Sequence, residues 1–265
     1  MDGALPVRPV RWLLVHELHD SAAPWLAAQW RRRLGARAAE LLVLPAPALA
    51  LCSTWQLRVL GRATHTHLKV TLASSAAVHH HDIDSTHLRG VLHRPFGPWV
   101  AAAAADRDYV VQERHALLLT WLNGLGSRCI NAPRADALAG PAWSAPQWRW
   151  YAQRCGMAVA AWPDVAGAAP PLLRLLVAGG DCFSVNGPVL DSAWRSAARR
   201  LAASAGCALL GLYLVPDGVG GWRFALASAQ PDPRSGGNAA ADALADAMAM
   251  PVAAQHAGLT SEMCA

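Results

Sequence analysis

The sequence predicts a mixed α/β chain built as two lobes, and three observations carry that prediction. Trp12-Leu13-Leu14-Val15, a helical pattern and Leu41-Leu42-Val43-Leu44 follow one another as a β-α-β unit, which requires a parallel sheet with covered faces. From Thr64 the apolar period shortens to two, the mark of half-buried strands in a hairpin. Residues 157–171 then form an Ala/Gly/Pro-rich connector with almost no charge, the expected boundary between lobes.

Each element has a local reason. Asp20-Ser21 caps the first helix, Pro24 lies in its first turn, and Leu26, Trp30 and Leu34 recur at helical spacing until Gly35 weakens it. His65, His67, Lys69 and Thr71 alternate with Thr66, Leu68, Val70 and Leu72; Ser74-Ser75 turns the chain and Val78 to Ile83 returns. Leu88 to Leu92 is a further strand, closed by Arg94-Pro95. A long helix is expected from Ala102 to Leu122, with Tyr109, Glu113, Leu117 and Trp121 on one stripe and Gly124 and Gly126 at its end. Cys129-Ile130-Asn131 reads as a short strand, and Ser144-Ala145-Pro146 opens a helix that Gly156 stops. Beyond the connector, Leu172 to Val177 and Cys182 to Val185 form a hairpin around Gly179-Gly180. Asp191-Ser192 caps a helix ended by Gly206. Cys207 to Val215 and Trp222 to Ala227 are strands joined by Pro216-Asp217-Gly218, and Asn238 to Met250 is the last helix. The expected division is 1–156, the connector 157–171, a second lobe 172–250 and a frayed tail 251–265.

Composition narrows the function classes. With 54% apolar residues in 265, the chain is not disordered; with 15% charged, against roughly 25% in an average globular protein, it points to a protein or peptide partner. The net charge of +5 comes from 23 basic residues, of which Lys69 is the one lysine. They are scattered apart from Arg31-Arg32-Arg33 and Arg199-Arg200, so no stripe for a phosphate backbone forms and no nucleic-acid partner is expected. The longest apolar runs fall short of the roughly 18 residues a membrane span needs, and Met1-Asp2-Gly3 does not open an export signal. No membrane partner and a cytoplasmic location are therefore expected. Six cysteines without a C-x-x-C pair read as buried thiols.

Recognisable chemistry is sparse. His79-His80-His81-Asp82-Ile83-Asp84, with His87 and His93, supplies imidazoles and carboxylates suited to zinc, iron or nickel. Strand neighbours point to opposite faces, so His79 and His81 are the candidate ligands, joined by His65 or His67 across the hairpin; the other reading is a solvated sheet face. No G-x-S-x-G elbow, dinucleotide fingerprint or P-loop occurs. The twelve tryptophans sit at helix and strand positions and read as core or lobe-interface residues.

The order of elements resembles the ATP-grasp proteins related to glutathione synthetase and D-alanine ligases. The residues that carry it are Leu92-His93-Arg94-Pro95 after a strand, Asp108-Tyr109 and Gln112-Glu113 on the long helix, and Cys129-Ile130-Asn131-Ala132-Pro133. Leu138-Ala139-Gly140-Pro141, the Leu173 to Cys182 hairpin and the Leu201 to Leu212 passage complete the set. The resemblance spans about residues 10 to 250 and implies a pre-ATP-grasp-like β-α-β domain followed by a reduced ATP-grasp-like α+β lobe. It makes Arg94, Asn131, Arg174, Asp181, Asn186, Arg223, Asp232 and Arg234 the candidate ligand-binding residues.

The departures decide which properties carry over. The family grips ATP phosphates with lysines in the interval that here is the fifteen-residue, lysine-free connector. Its first Mg²⁺ carboxylate should follow Gly211-Leu212, where this chain has Tyr213; its Glu-x-Asn set should fall at Ala227-Ser228-Ala229-Gln230. Magnesium with a nucleotide needs at least one or two carboxylates. The expectation is a non-catalytic binding or partner subunit of a peptide or natural-product modification pathway, with no cofactor. Two alternatives stand beside it: an ATP- and Mg²⁺-dependent carboxylate–amine ligase using Arg and Asp substitutes, and a metal-binding protein using the His-rich hairpin.

Overall fold

The computed structural model describes residues 9–61, 63–73, 78–100, 106–160, 173–186 and 190–251. Its first half runs β1 (Trp12–His16), α1 (Ala22–Leu34), β2 (Leu41–Pro45), α2 (Ala46–Ala50), β3 (Thr54–Leu60), β4 (Ala63–Ala73), β5 (Val78–Asp84), β6 (Gly90–His93), α3 (Arg107–Leu125) and β7 (Cys129–Ile130). The second half runs α4 (Ala145–Arg154), β8 (Leu173–Ala178), β9 (Asp181–Asn186), α5 (Ser192–Ala205), β10 (Leu209–Pro216), β11 (Trp222–Ser228) and α6 (Gly237–Ala247).

Three sheets result. A parallel sheet has the order β2-β1-β6-β7, an antiparallel sheet β3-β4-β5 lies against it, and a second antiparallel sheet has the order β11-β10-β8-β9. The parallel sheet needs cover on both faces. Leu13, Val15, Leu44 and Val91 on one face meet Leu68, Val70 and Ile83 of the hairpin sheet and Leu118, Trp121 and Leu122 of α3. Trp12, Leu14 and Leu92 on the other meet α1 and, from far along the chain, Ala240, Ala241 and Leu244 of α6.

The two lobes therefore share a core. Leu176 and Ala178 of β8 and Leu209 of β10 belong to the same cluster as Trp12 and Trp30. Both indoles are fully buried, and they donate to Met248 O at 3.0 Å and Ala241 O at 2.9 Å. A tryptophan covers roughly 200 Å², so its burial contributes up to about 5 kcal/mol at ~25 cal/mol per Å². A net hydrogen bond contributes ~1 kcal/mol. Packing thus holds α6 on the first lobe, and the indole bonds set its position along the helix axis.

Several expectations shift in detail. The α3 stripe is Leu118, Trp121, Leu122 and Leu125, not the one through Tyr109, which is 68% exposed. Only the C-terminal half of α3 meets the sheets. The helix passes through Gly124, where a Cβ would overlap the Thr64 side chain, and ends at Gly126 with φ +57°. Residues 101–105, at its expected start, lie outside the described residues.

Helix α4 was expected in the first lobe, yet Trp148, Ala152, Cys155 and Met157 pack with Leu201, Leu210 and Phe224. Residues 161–171 of the expected connector lie outside the described residues. The amphipathic faces explain this: α4 and α5 cover the sheet face made by Leu173, Leu175, Leu210, Leu212 and Leu214. Strand β3 and helix α2 were not anticipated. Among the described residues, no helix is long and apolar enough to cross a membrane.

Candidate functional site

The C-terminal ends of β1, β6 and β7 converge on the start of β10 and the segment after β11. Asn131, just past β7, has φ +59° and is buried. Its Nδ2 donates to Leu209 O at 2.8 Å and Ala229 O at 2.9 Å, while its Oδ1 accepts from Leu209 N at 2.8 Å. This side chain joins the parallel sheet to both β10 and the end of β11. Its amide protons are spent on the backbone, and the side chain clamps the two lobes together.

Arg94 follows β6 and is buried with Asp20 from the loop after β1; the two form an ion pair through Nε and Nη2, with side chains 10% and 12% exposed. Arg94 Nη1 also reaches Pro231 O at 3.5 Å, and Gln230 donates to Arg94 O. Next along the chain, Asp232 accepts from Arg234 through both carboxylate oxygens, at 2.6–2.9 Å. Arg234 holds the Asp232 carboxyl below the usual range, burial opposes it, and Arg94 adds a smaller pull in the same direction. Asp20 in turn acts on Arg234. Two arginines and two carboxylates thus gather at the lobe junction as mutually neutralising pairs. Asp20 and Gln230 were not singled out from sequence; the Asp20-Ser21 cap signal concealed the ion pair, although Asp20 Oδ1 does also accept from Ala22 N at 3.1 Å.

The remaining candidates lie elsewhere. Arg174 of β8 is paired in register with Tyr213 of β10, its guanidinium 6.0 Å from the ring centroid. Tyr213 is itself opposite Leu226, which is 40% exposed. Arg223 stands opposite Val215, six residues beyond Leu209 and so roughly 20 Å from the Asn131 clamp. It acts on Asp217, whose carboxyl is held low by the backbone N–H groups of Val219 and Gly221. Asp181 sits at the β8–β9 turn, 3.7 Å from Arg199, with both exposed. Asn186 pairs with Arg174 through the backbone; its side chain lies outside the described residues. A cleft of about 280 Å³ opens beside β9, lined by Leu175, Cys182, Phe183, Arg195 and Ser235. Arg195 was not anticipated; it donates to Cys182 O at 3.2 Å.

The histidines divide between two faces. His79 and His81 are opposite Leu72 and Val70 on one face, their ring centroids 6.5 Å apart. His65 and His67 are on the other, where His65 meets Asp84 at 3.0 Å and His67 meets Asp82. Neither can join His79 and His81 on one ion, because a pleated strand separates the faces. Among the described residues, no three His, Cys, Asp or Glu side chains are grouped to hold a metal.

No protein-family model and no curated protein matches the chain. Solved structures do. Macrocyclase MdnB from Microcystis aeruginosa MRC aligns with TM-score 0.66 over 91% of this chain and 99% of its own, at 14% identity. A Chryseobacterium gregarium RiPP-associated ATP-grasp ligase, in complex with ADP and a leader and core peptide, aligns with TM-score 0.64 over 90% and 96%, at 10% identity. ATP-grasp ligase PsnB, with a variant of its minimal precursor, Mg and ADP, aligns with TM-score 0.59 over 92% and 98%, at 15% identity. The chain has the ATP-grasp ligase fold. Within that fold, Tyr213 and Arg174 occupy the sheet face where the resemblance puts the first carboxylate, and Asp20 and Asp232 are engaged by arginines.

Proposed function

We propose that this chain is a non-catalytic, peptide-binding partner in a peptide-modification pathway. The observation that carries the reading is the Arg174–Tyr213 pair on the sheet face where a metal-binding carboxylate is expected. A guanidinium beside a phenol repels a divalent cation, and phosphoryl transfer to a carboxylate depends on neutralising the triphosphate. Arg94 and Arg234 at the lobe junction are already paired. The peptide part is supported by the structural neighbours, which were solved with leader and core or precursor peptides bound. Calorimetry with ATP and Mg²⁺ tests the first part, with no saturable heat and no ADP release expected; saturable binding with ADP release overturns it. Fluorescence titration of the twelve-tryptophan chain with precursor peptides encoded beside it tests the second.

The ligase reading retains one specific observation, the gathering of Arg94, Asp20, Asp232 and Arg234 at the junction of the lobes. It requires that replacing Asp232 and Arg234 together abolish an ATP-dependent activity. An activity that survives the double substitution removes this assignment.

A further inference from the structure

Helix α2, strand β3, the segment after β6 and helix α3 line a partly open cavity of about 10 Å³ beside the carboxyl end of the parallel sheet. That is room for one water-sized group. Open α/β sheets bind their ligands at this end, where the strand order reverses, and here the reversal lies between β1 and β6. Most of the wall is apolar, from Leu49, Pro95 and Leu118, but Trp55, His93 and Arg114 also line it.

Two of these polar groups stand out. His93 is 2% exposed and its Nδ1 has no hydrogen-bond partner; Trp55 Nε1 is also buried without one. Leaving such a group unpaired costs about 1–3 kcal/mol. His93 is the last residue of β6, in register with Val15, and the Trp55 ring is held edge-on by Trp121 with centroids 5.6 Å apart.

Their chemistry selects the occupant. An indole N–H only donates, whereas a neutral imidazole offers one donor and one acceptor nitrogen. An oxygen bearing a hydrogen accepts from Trp55 and satisfies Nδ1 in either tautomer. A carboxylate only accepts and exceeds the space, and an ammonium only donates and so offers nothing to the Trp55 N–H.

We propose that this cavity is a binding site for a single hydroxyl oxygen held between His93 Nδ1 and Trp55 Nε1, supplied by water or by a hydroxyl-bearing side chain of a bound peptide. The peptide source rests on the function proposed above; the site itself does not. Burial lowers the His93 pKa to about 3, against the Pro95 backbone, so the ring presents its neutral form at physiological pH.

The intact ¹⁵N-labelled protein provides the test, with the Trp55 indole resonance assigned by its loss in Trp55→Phe. A crystal structure is expected to show one ordered oxygen within hydrogen-bond distance of both nitrogens. His93→Leu is expected to move the indole resonance and speed its proton exchange by about tenfold, the loss of one bond of ~1.4 kcal/mol. Titration with N-acetyl-serine amide separates the sources. A saturable shift absent with N-acetyl-alanine amide assigns a side-chain hydroxyl, and no shift beside an ordered oxygen assigns water. A dry cavity, or a saturable response to acetate but not to the serine amide, overturns the proposal. Should His93→Leu fail to fold, the wild-type density and titrations decide alone.

Discussion

Replacing Arg94 by Met leaves the Asp20 carboxylate in the lobe junction without its cation. With side chains 10% and 12% exposed, the pair is close to the buried limit, where loss of one partner costs about 3–5 kcal/mol. The remaining exposure places the expected cost at the lower end, ~3 kcal/mol, and the long contact to Pro231 O adds little. For a chain of this size ~1 kcal/mol moves Tm by about 2–4 °C, so Arg94→Met should melt roughly 6–12 °C lower. Urea unfolding of the wild type, Arg94→Met, Asp20→Asn and the double variant gives the coupling directly. A coupling above ~1.5 kcal/mol is expected, because the second substitution removes a charge the first left stranded. A cost below ~1 kcal/mol for Arg94→Met, or additivity within ~0.5 kcal/mol, would refute the claim that this pair is desolvated.

Three further outcomes follow from the same geometry. Asn131→Ala removes three backbone hydrogen bonds and puts alanine at φ +59°, so it should cost ~3 kcal/mol in chemical denaturation. Burial lowers the His93 pKa to about 3 in the folded chain, below the ordinary histidine value of 6.5, so the unfolded chain binds its proton first as pH falls. The stability it contributes is complete above about pH 6.5 and declines at ~1 kcal/mol per pH unit below pH 6; in His93→Gln that part of the pH profile should flatten. Burial pushes the Cys129 and Cys207 thiols up to about 12, and both should resist a disulfide reagent at pH 8 in the native state and react in urea.

Elements with complete local signals were legible. The first β-α-β unit, the Ser144-Ala145-Pro146 start of α4, the Asp191 cap and the Gly206 stop of α5, and the turn at Pro216-Asp217-Gly218 all stand where they were read. Strand β3 was missed although Trp55, Leu57 and Val59 alternate, because its place depends on pairing with β4. The two-face division of the histidines depends on the β4–β5 register, which sets His81 opposite Val70 and which no local pattern specifies. The lobe junction was half legible. Arg94, Asn131, Asp232 and Arg234 were named, yet the partner of Arg94 lies 74 residues away, and that separation leaves no trace in spacing. Arg174 and Arg223 were grouped with them on charge alone; the strand direction of β10 carries Arg223 far from the junction.

The docking of α6 on Trp12 and Trp30 has a consequence for synthesis. The roof over one side of the earliest strands comes from residues more than two hundred positions later, at separations of 236 and 211. While the ribosome is still translating, Trp12, Leu14 and Trp30 face water or whatever else will cover them. Contacts of such long range also slow the final closure. A nascent chain arrested before Gly237 should therefore be captured by chaperones and cut by proteases that spare one in which α6 has emerged.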